Sequence, residues 1–530
     1  MFLPLVVAAI AVLAPYLYSR LRYQRLSRYA KYPQMPPSLI LGHLKAIDEF
    51  IRAGKPNGHP DLAFAAMNDA LGSPPIHFVD LRPFGPPMVL VRSHEVAEQI
   101  TKASKPYPHS PPKMPQVYGH MVHVTGPTSI LAAAGDDWKG LRRRFNPGFA
   151  SQHLIKFLPC ILDRSTAFLA HLDRLADTGE AFSLVHLAGN LTLDIISQVV
   201  MDADFDAQNM GQPGPVIRAY HELFQTYASE QVDLPWFLTP LTEWKRRRLA
   251  GSIKRKLEAI VQGAHADGLA ESTKLRSVLS LSLQGIEKLT TQAVDETCDQ
   301  LSTFLFAGHD TTSILISWAF YELSRTPKSL EAVRNELDEI FGPDTNPTTV
   351  CNKLLSDGGQ ELLSRMTYAS AVIKETLRLW PPAGTARRIK QGSPLKIQTS
   401  MGEYVLEGVD VYNCATMIQR DPEVYGDTAN DFVPERWLQG ATADIPASAW
   451  RAFERGPRNC IGQELATLEA RVVIALVARR YDFVKIGVGE LSRDQAGELI
   501  LDAQGRFEAV SQMYPVGQSL ANPRKLDTAY

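Results

Sequence analysis

Cysteine is scarce in this chain: five residues among 530, at Cys160, Cys298, Cys351, Cys414 and Cys460. No two of them lie in a CxxC spacing, which argues against a zinc ribbon, and an odd handful in so long a chain gives no disulfide framework. Net charge is lacking too. Fifty-five basic residues against fifty-seven acidic ones leave −2, so no global basic field points to nucleic acid. There is no internal repeat, and no Pro/Ser-rich linker divides residues 46–530. With 45% apolar and 21% charged residues, the chain has ordinary globular composition and the length to bury a large core. What remains is a protein of a reducing compartment with at most one special thiol.

The opening run lacks charge altogether. "MFLPLVVAAIAVLAPYLY" is uncharged over 18 residues, and Arg20, Arg22, Arg25, Arg28 and Lys31 follow it. Such a run is near the ~20 residues that span a bilayer. A cleaved secretory signal carries its positive charge ahead of the apolar region; here the charge comes after. The sequence therefore predicts a single uncleaved anchor over 1–19, a basic and proline-rich hinge over 20–45, and a body on the cytosolic side. A cleaved signal and an interfacial helix are the alternatives.

Helical periodicity dominates the rest, over 136–147, 151–175, 183–203, 214–230, 241–267 and 290–325. Two apolar runs, Ile76 to Leu81 and Met88 to Val91, flank a Pro/Gly turn and predict a hairpin. A second, weaker β region covers Leu395 to Val411. Residues 105–135 and the Gly/Asp/Asn-rich stretch 342–359 are expected as loops. The fold class is mainly α with small β-sheets, with 46–530 as one domain.

Three places break local rules. The helix over 290–325 is apolar nearly all round, so it should be central. Yet its middle reads Ala307-Gly308-His309-Asp310-Thr311-Thr312, and glycine, aspartate and threonine all weaken a helix. A rule broken in the best-buried element points to function, against the alternative of a tolerated polar kink. Cys460 lies in "FERGPRNCIG", where a turn hands over to a helix. A helix N-terminus stabilises a thiolate. The alternatives are an inert buried cysteine, or a nucleophile that would need a histidine base. Glu375 and Arg378 stand at i,i+3 in the apolar stretch "YASAVIKETLRLWPP", which makes them a buried ion pair or a surface salt bridge.

Phe453-x-x-Gly456-x-Arg458-x-Cys460-x-Gly462 resembles the haem-binding signature of the cytochrome P450 family. Other stretches resemble the family's remaining marks, in order along the chain. Trp138-x-x-x-Arg142 is similar to its WxxxR helix, and Ala307-Gly308-x-Asp310-Thr311 to its oxygen-activating stretch. Glu375-Thr376-Leu377-Arg378 is similar to ExxR, and "FVPERW" (Phe432 to Trp437) to the segment that follows. The resemblance covers essentially the whole chain, and the anchor matches the microsomal branch.

The resemblance implies a cytochrome P450 fold and haem b, with Cys460 as the thiolate ligand of iron, where it favours O–O cleavage. It implies that Phe453 and Gly462 shape the cysteine loop. Arg142, Arg458 and Arg388 (or Arg387) with Trp138 would hold the propionates, and Glu375, Arg378 and Arg436 would form a structural network. Asp310 and Thr311 would deliver protons, while the Gly308 gap would make room for dioxygen. It implies a monooxygenase that inserts one oxygen atom from O2 into a small, largely apolar substrate. Desaturation or ring closure is the alternative chemistry, and a non-catalytic haem-binding protein the alternative of another class. A cysteine hydrolase using Cys460 is disfavoured by the missing base. Electrons would come from NADPH through a partner flavoprotein, the cytochrome P450 reductase, docked on basic residues such as Lys139, Arg143 and Arg455; Arg144 is expected as plain surface charge. The implied location is the endoplasmic reticulum membrane with the body cytosolic. "RRRFNPGFASQHL" and "AGHDTTS" are similar to fungal members that work in secondary metabolism. Pocket walls are expected from 105–135, 205–240, Phe304, Ala307, Ala383 to Thr385 and Ser511 to Val516.

Overall fold

The computed structural model describes residues 2–54, 59–228, 238–269, 276–438, 440, 444–510 and 520–525; the pocket-wall segment Ser511 to Val516 lies outside them. The backbone gathers into two compact units. One comprises Met1–Met114, Gly384–Ala429 and Ile445–Asn459, the other Pro115–Ala383, Asn430–Asp444 and Cys460–Tyr530.

The first unit is built on strands. β1 (Ile76–Asp80) and β2 (Pro87–Val91) form the expected antiparallel hairpin. Later in the chain come β3 (Thr385–Ile389), β4 (Leu395–Thr399), β5 (Gly402–Leu406) and β6 (Val409–Asn413). β2 pairs in parallel with β6, and β6 takes β3 antiparallel on its other side, giving the order β1-β2-β6-β3. β4 and β5 pair separately. Alternation puts Phe78, Val89, Val91, Ile389 and Val411 into one core with Ile397 and Leu406. The opposite side chains, Val79, Met88 and Leu90, pack with Met67 and Met417, so the central strands are buried on both faces. The apolar N-terminal run is helix α1 (Phe2–Arg22), which passes into a π-helical turn at Tyr23–Ser27.

The second unit is helical. Its main elements are α2 (Gly135–Phe145), α3 (Leu184–Met201), α4 (Pro215–Ala228), α5 (Pro240–Leu269), α6 (Thr291–Arg325), α7 (Pro327–Phe341), α8 (Thr367–Leu379) and α9 (Gln463–Val477). α6 has 35 residues, about 52 Å at 1.5 Å per residue. The Thr290 side chain caps its start by accepting from Ala293 N, and Pro327 lies just beyond its end. Among the described residues one helix is long and apolar enough to cross a membrane, Leu184–Met201, and it is mostly buried. It is α3, the core helix packed along α6.

Several expectations differ in detail. The helix expected over 151–175 starts as a short turn and a 3-10 segment, and regular helix runs Leu158–Thr178. Pro159 lacks an N–H, so it fits only in the first turn. The expected loop 342–359 contains a helix, Pro347–Leu355, capped by Asn346 and seated by buried Val350 and Leu354. Four-residue spacing of two apolar residues is too short a signal to read through Gly and Asp. The expected loop 105–135 contains short helices at Pro115–His120 and Val122–Thr125. Its next stretch is pinned to α6: Asp299 accepts from Thr128 N at 2.9 Å and Thr128 Oγ1 at 2.7 Å, and Thr303 donates to Thr125 O at 3.0 Å.

Candidate functional site

The most heavily hydrogen-bonded part of the site is the pair on α8. Glu375 and Arg378 are both 0% exposed, so the spacing marks a buried pair and not a surface one. Arg378 donates from Nε to Glu375 Oε2 and from Nη2 to Glu375 Oε1, each at 2.8 Å, and from Nη2 to Asp431 O at 2.8 Å. The turn Pro434–Trp437 completes the cage. Arg436 Nε donates to Oε1 at 3.0 Å, Val433 N to Oε1 at 2.9 Å, and Trp437 Nε1 to Oε2 at 2.8 Å. Burial alone would raise the Glu375 pKa, but Arg378 and then Arg436 outweigh it and hold the carboxyl below its usual range.

The start of α8 is held as firmly. Glu336 of α7 accepts from Tyr368 N at 2.6 Å, Ala369 N at 2.9 Å and Thr367 Oγ1 at 2.9 Å. It thereby supplies the cap that the helix sequence lacks. Trp437 and Glu336 were not singled out from sequence. A side chain that caps from another element leaves no local spacing to read.

On α6, the Thr311 hydroxyl donates to Ala307 O at 2.8 Å, one turn back, and Asp310 is exposed. Gly308 has a plain packing reason. A Cβ there would stand 2.7 Å from Ile196 Cγ1 of α3, so the missing side chain lets α3 and α6 approach closely. Thr192 Oγ1 of α3 also donates to His309 O at 2.8 Å. His309 turns toward α4, its Nδ1 2.9 Å from Leu305 O and 3.2 Å from Tyr220 Oη, with Phe224 edge-on. Burial lowers its pKa and Asp310 partly opposes this.

Cys460 is exposed and stands three residues before α9, whose N-cap is Gly462. A side chain at Gly462 would begin 3.9 Å from the sulfur. On α2, Trp138 is buried. Burial lowers the pKa of Arg142 on the same helix, while Cys460 acts in the opposite sense, which puts the guanidinium within electrostatic reach of the sulfur. Arg144, expected as surface charge, instead ties α2 to α6 through Glu296 Oε1 at 3.1 Å and Thr297 Oγ1 at 2.7 Å. Lys139 and Arg143 are exposed.

The loop leading to the cysteine belongs to the first unit. Gly456 has φ +80°, and a Cβ would lie 2.3 Å from Thr101 O, so only glycine fits there. Glu98 accepts from Arg451 Nη1 at 3.1 Å and Arg455 Nε at 3.0 Å. Arg455, expected as a docking charge, is thus engaged in bracing the loop. Phe453 lies edge-on to Trp450, and Arg458 is buried. On β3, Arg388 pairs through Nε with Asp410 Oδ1 and donates from Nη2 to Oδ2 at 3.0 Å. Arg387, which alternation turns to the other face, is fully buried.

An accessible sulfur at the head of a helix, a nearby guanidinium and an indole on the same helix as that guanidinium are donors that suit a thiolate-ligated iron porphyrin with two carboxylates. The family model for cytochrome P450 matches residues 33–504. The chain belongs to the cytochrome P450 family. This P450 is 30% identical over 84% of its length to a cytochrome P450 monooxygenase named acrF from Aspergillus aculeatus, covering 92% of that protein. It is 31% identical over 56% of its length to a bifunctional cytochrome P450/NADPH–P450 reductase from Gibberella moniliformis, covering 25% of that protein. Among solved structures it is similar to a cytochrome P450DA heme domain, with TM-score 0.69 at 16% identity, covering 93% of this chain and 97% of that one. The fold is that of the family, mainly helical with small sheets. The P450 is a monooxygenase, and its family implies a haem iron with thiolate ligation.

Proposed function

We propose that this P450 inserts one oxygen atom from O2 into a small, largely apolar substrate in a secondary-metabolite pathway, with residues 46–530 acting as a single catalytic domain. The observation that carries the reading is Cys460, exposed at the head of α9 with Arg142 in electrostatic reach. Cys460 would be the ligand of haem b, and Trp138, Arg142 and Arg458 would be the candidate partners of its propionates. On β3 the further propionate partner would be Arg388, which also pairs with Asp410, or its neighbour Arg387.

Bound haem supplies the activation of dioxygen. The chain's own residues position substrate and move protons. Thr311 gives its hydroxyl hydrogen to Ala307 O, so its lone pairs are left to accept from an ordered donor. Asp310, exposed one residue earlier, can take up a proton from solvent and pass it on. Glu375, Arg378 and Arg436 hold the segment before the cysteine loop.

Electrons come from NADPH through a partner flavoprotein reductase; the Gibberella relative carries such a reductase in its own name. Lys139 and Arg143, both exposed on α2, can meet an acidic partner. α1 is the membrane anchor, placing the body on the cytosolic side of the endoplasmic reticulum. Helix Phe2–Arg22 runs 21 residues, and Val12, Leu13 and Leu17 are exposed on it. The test is a comparison of metabolites with and without the gene, followed by turnover of the accumulating compound by purified enzyme, reductase and NADPH. An oxygenated product formed in that mixture supports the reading; no oxygen-dependent product contradicts it.

A further inference from the structure

The face of α6 that carries Thr311 continues into an aromatic pair. Trp318 lies two turns further along the same face, about 10 Å of helix at 1.5 Å per residue. It is buried. Its indole lies flat on that of Trp380, the residue directly after α8, with ring centroids 3.9 Å apart and planes 15° from parallel. Aromatic pairs in proteins mostly keep roughly 4.5–7 Å between centroids and meet offset or edge-on. This pair is closer and flatter, so the two π-systems overlap and can share a positive charge.

A carboxyl group stands against the pair. Glu322 is one turn beyond Trp318 on α6, at i,i+4, and so shares its face. It is 2% exposed, and its Oε1 accepts the indole N–H of Trp380 at 2.8 Å. A carboxylate is costly to bury, and packing alone does not call for one beside two indoles. Loss of an electron makes an indole N–H strongly acidic. Glu322 is placed on that N–H as the base that takes its proton.

Tyr321 is differently equipped. It meets Trp318 edge-on at 5.4 Å, and its hydroxyl donates to Gly489 O at 3.3 Å. A carbonyl is a poor base for a phenol proton, and burial pushes the Tyr321 pKa up to about 12. The Arg325 guanidinium, 5.6 Å from the ring centre, also repels a positive charge there. An electron vacancy that reaches Trp318 therefore settles on Trp380. Trp380 is the half-buried member of the pair, where a dissolved reductant comes closest.

We propose that Trp318 and Trp380 are an electron donor to the haem site, drawn on when dioxygen has been activated and no substrate is oxidised, with Glu322 as the base for Trp380. The proposal rests on the reading of the chain as a haem-thiolate monooxygenase. In each pass one electron leaves Trp380 by way of Trp318, the indole N–H bond breaks, and its proton goes to Glu322. A dissolved thiol returns one electron to Trp380, and the proton returns from Glu322. Two passes and two protons convert the unused oxygen atom to water. Two thiols become one disulfide and release the two protons that the water takes.

The test uses full-length ferric holoprotein without substrate. It is mixed with a peracid, frozen within milliseconds and read by electron paramagnetic resonance. An organic radical is expected whose line shape changes when the tryptophans are ring-deuterated, a result that needs no variant. Trp380→Phe should lose that radical, and Glu322→Gln should lower its yield. Haem absorbance is then followed while reductase and NADPH turn the protein over with glutathione and no substrate. Trp380→Phe should lose its haem several-fold faster than wild type, and Trp380→Tyr, which keeps an oxidisable ring, should regain most of the lifetime. A pair that only packs would leave the three lifetimes equal, and that result overturns the relay. A radical that tryptophan deuteration does not alter, or one lost in Tyr321→Phe, overturns the route to Trp380. A thiolate-type carbon monoxide band with no tryptophan radical overturns the relay alone; a wild type without that band overturns the haem-thiolate reading beneath it.

Discussion

Arg378 and Glu375 share two hydrogen bonds of 2.8 Å at zero exposure, inside a cage that Arg436, Val433 and Trp437 close. Every oxygen of the carboxylate is used, and Arg378 also holds Asp431 O. Arg378→Ala leaves a buried negative charge with one guanidinium fewer. The expected cost is about 3–5 kcal/mol, with little haem retained on purification. Urea unfolding and haem content check it; wild-type values for both would remove the cage from its supporting role.

The same carboxylate sets an acid limit. The Glu375 pKa is held below its ordinary 4.5. Its stabilising contribution is therefore fully present above the unfolded value and is lost as pH falls through the lower folded value. Stability of the wild type should drop as pH goes down from about 4.5. Glu375→Gln, less stable at neutral pH, should show a shallower drop in that window. Urea midpoints measured across the acid range decide this, and parallel curves for the two proteins would contradict it.

Gly308→Val tests the packing of α3 on α6. The added Cβ meets Ile196 at 2.7 Å, and overpacking of this kind costs about 1–3 kcal/mol. Gly308→Val with Ile196→Ala should recover part of the loss, since the same atoms clash. Thermal unfolding of both proteins is the check; no recovery in the double variant would move the clash elsewhere.

Thr311→Ala separates stability from chemistry. It loses a bond to Ala307 O within the same helix and gains helix propensity, so the change in stability should stay within about 0.5 kcal/mol. Product formed per NADPH consumed should fall, with hydrogen peroxide rising in step. Asp310→Asn should instead slow oxygen consumption itself, because the relay loses its ionisable member. Measuring product, NADPH and peroxide together decides the point; an unchanged ratio for Thr311→Ala would make Thr311 a helix residue alone.

Much of this was legible because the decisive signals are local. Two apolar runs around a Pro/Gly turn, Ile76 to Leu81 and Met88 to Val91, marked the hairpin, and the long apolar period placed α6 to within a residue. The Glu375–Arg378 spacing marked a pair, and of its two readings, buried or surface, the fold has the buried one. What escaped is non-local. Nothing near Glu336 or Trp437 says that one caps α8 and the other completes the carboxylate cage. Arg144 reads as surface charge and Arg455 as a docking charge until Glu296 and Glu98 are brought to them by the fold. The packing reason for Gly308 is hidden too, since Ile196 stands across from it only in the fold. The alternation that separates Arg387 from Arg388 could be read once β3 was assigned, but the partner Asp410 lies 22 residues on.

The central claim is that Cys460 is the thiolate ligand of a haem iron, and one spectrum tests it most directly. The reduced, carbon monoxide-treated protein should show the strongly red-shifted Soret band of thiolate ligation. Cys460→Ala should lose that band while the far-ultraviolet circular dichroism stays that of a folded helical protein. A histidine-type Soret band in the wild type, or an unchanged red-shifted band in folded Cys460→Ala, would contradict the account.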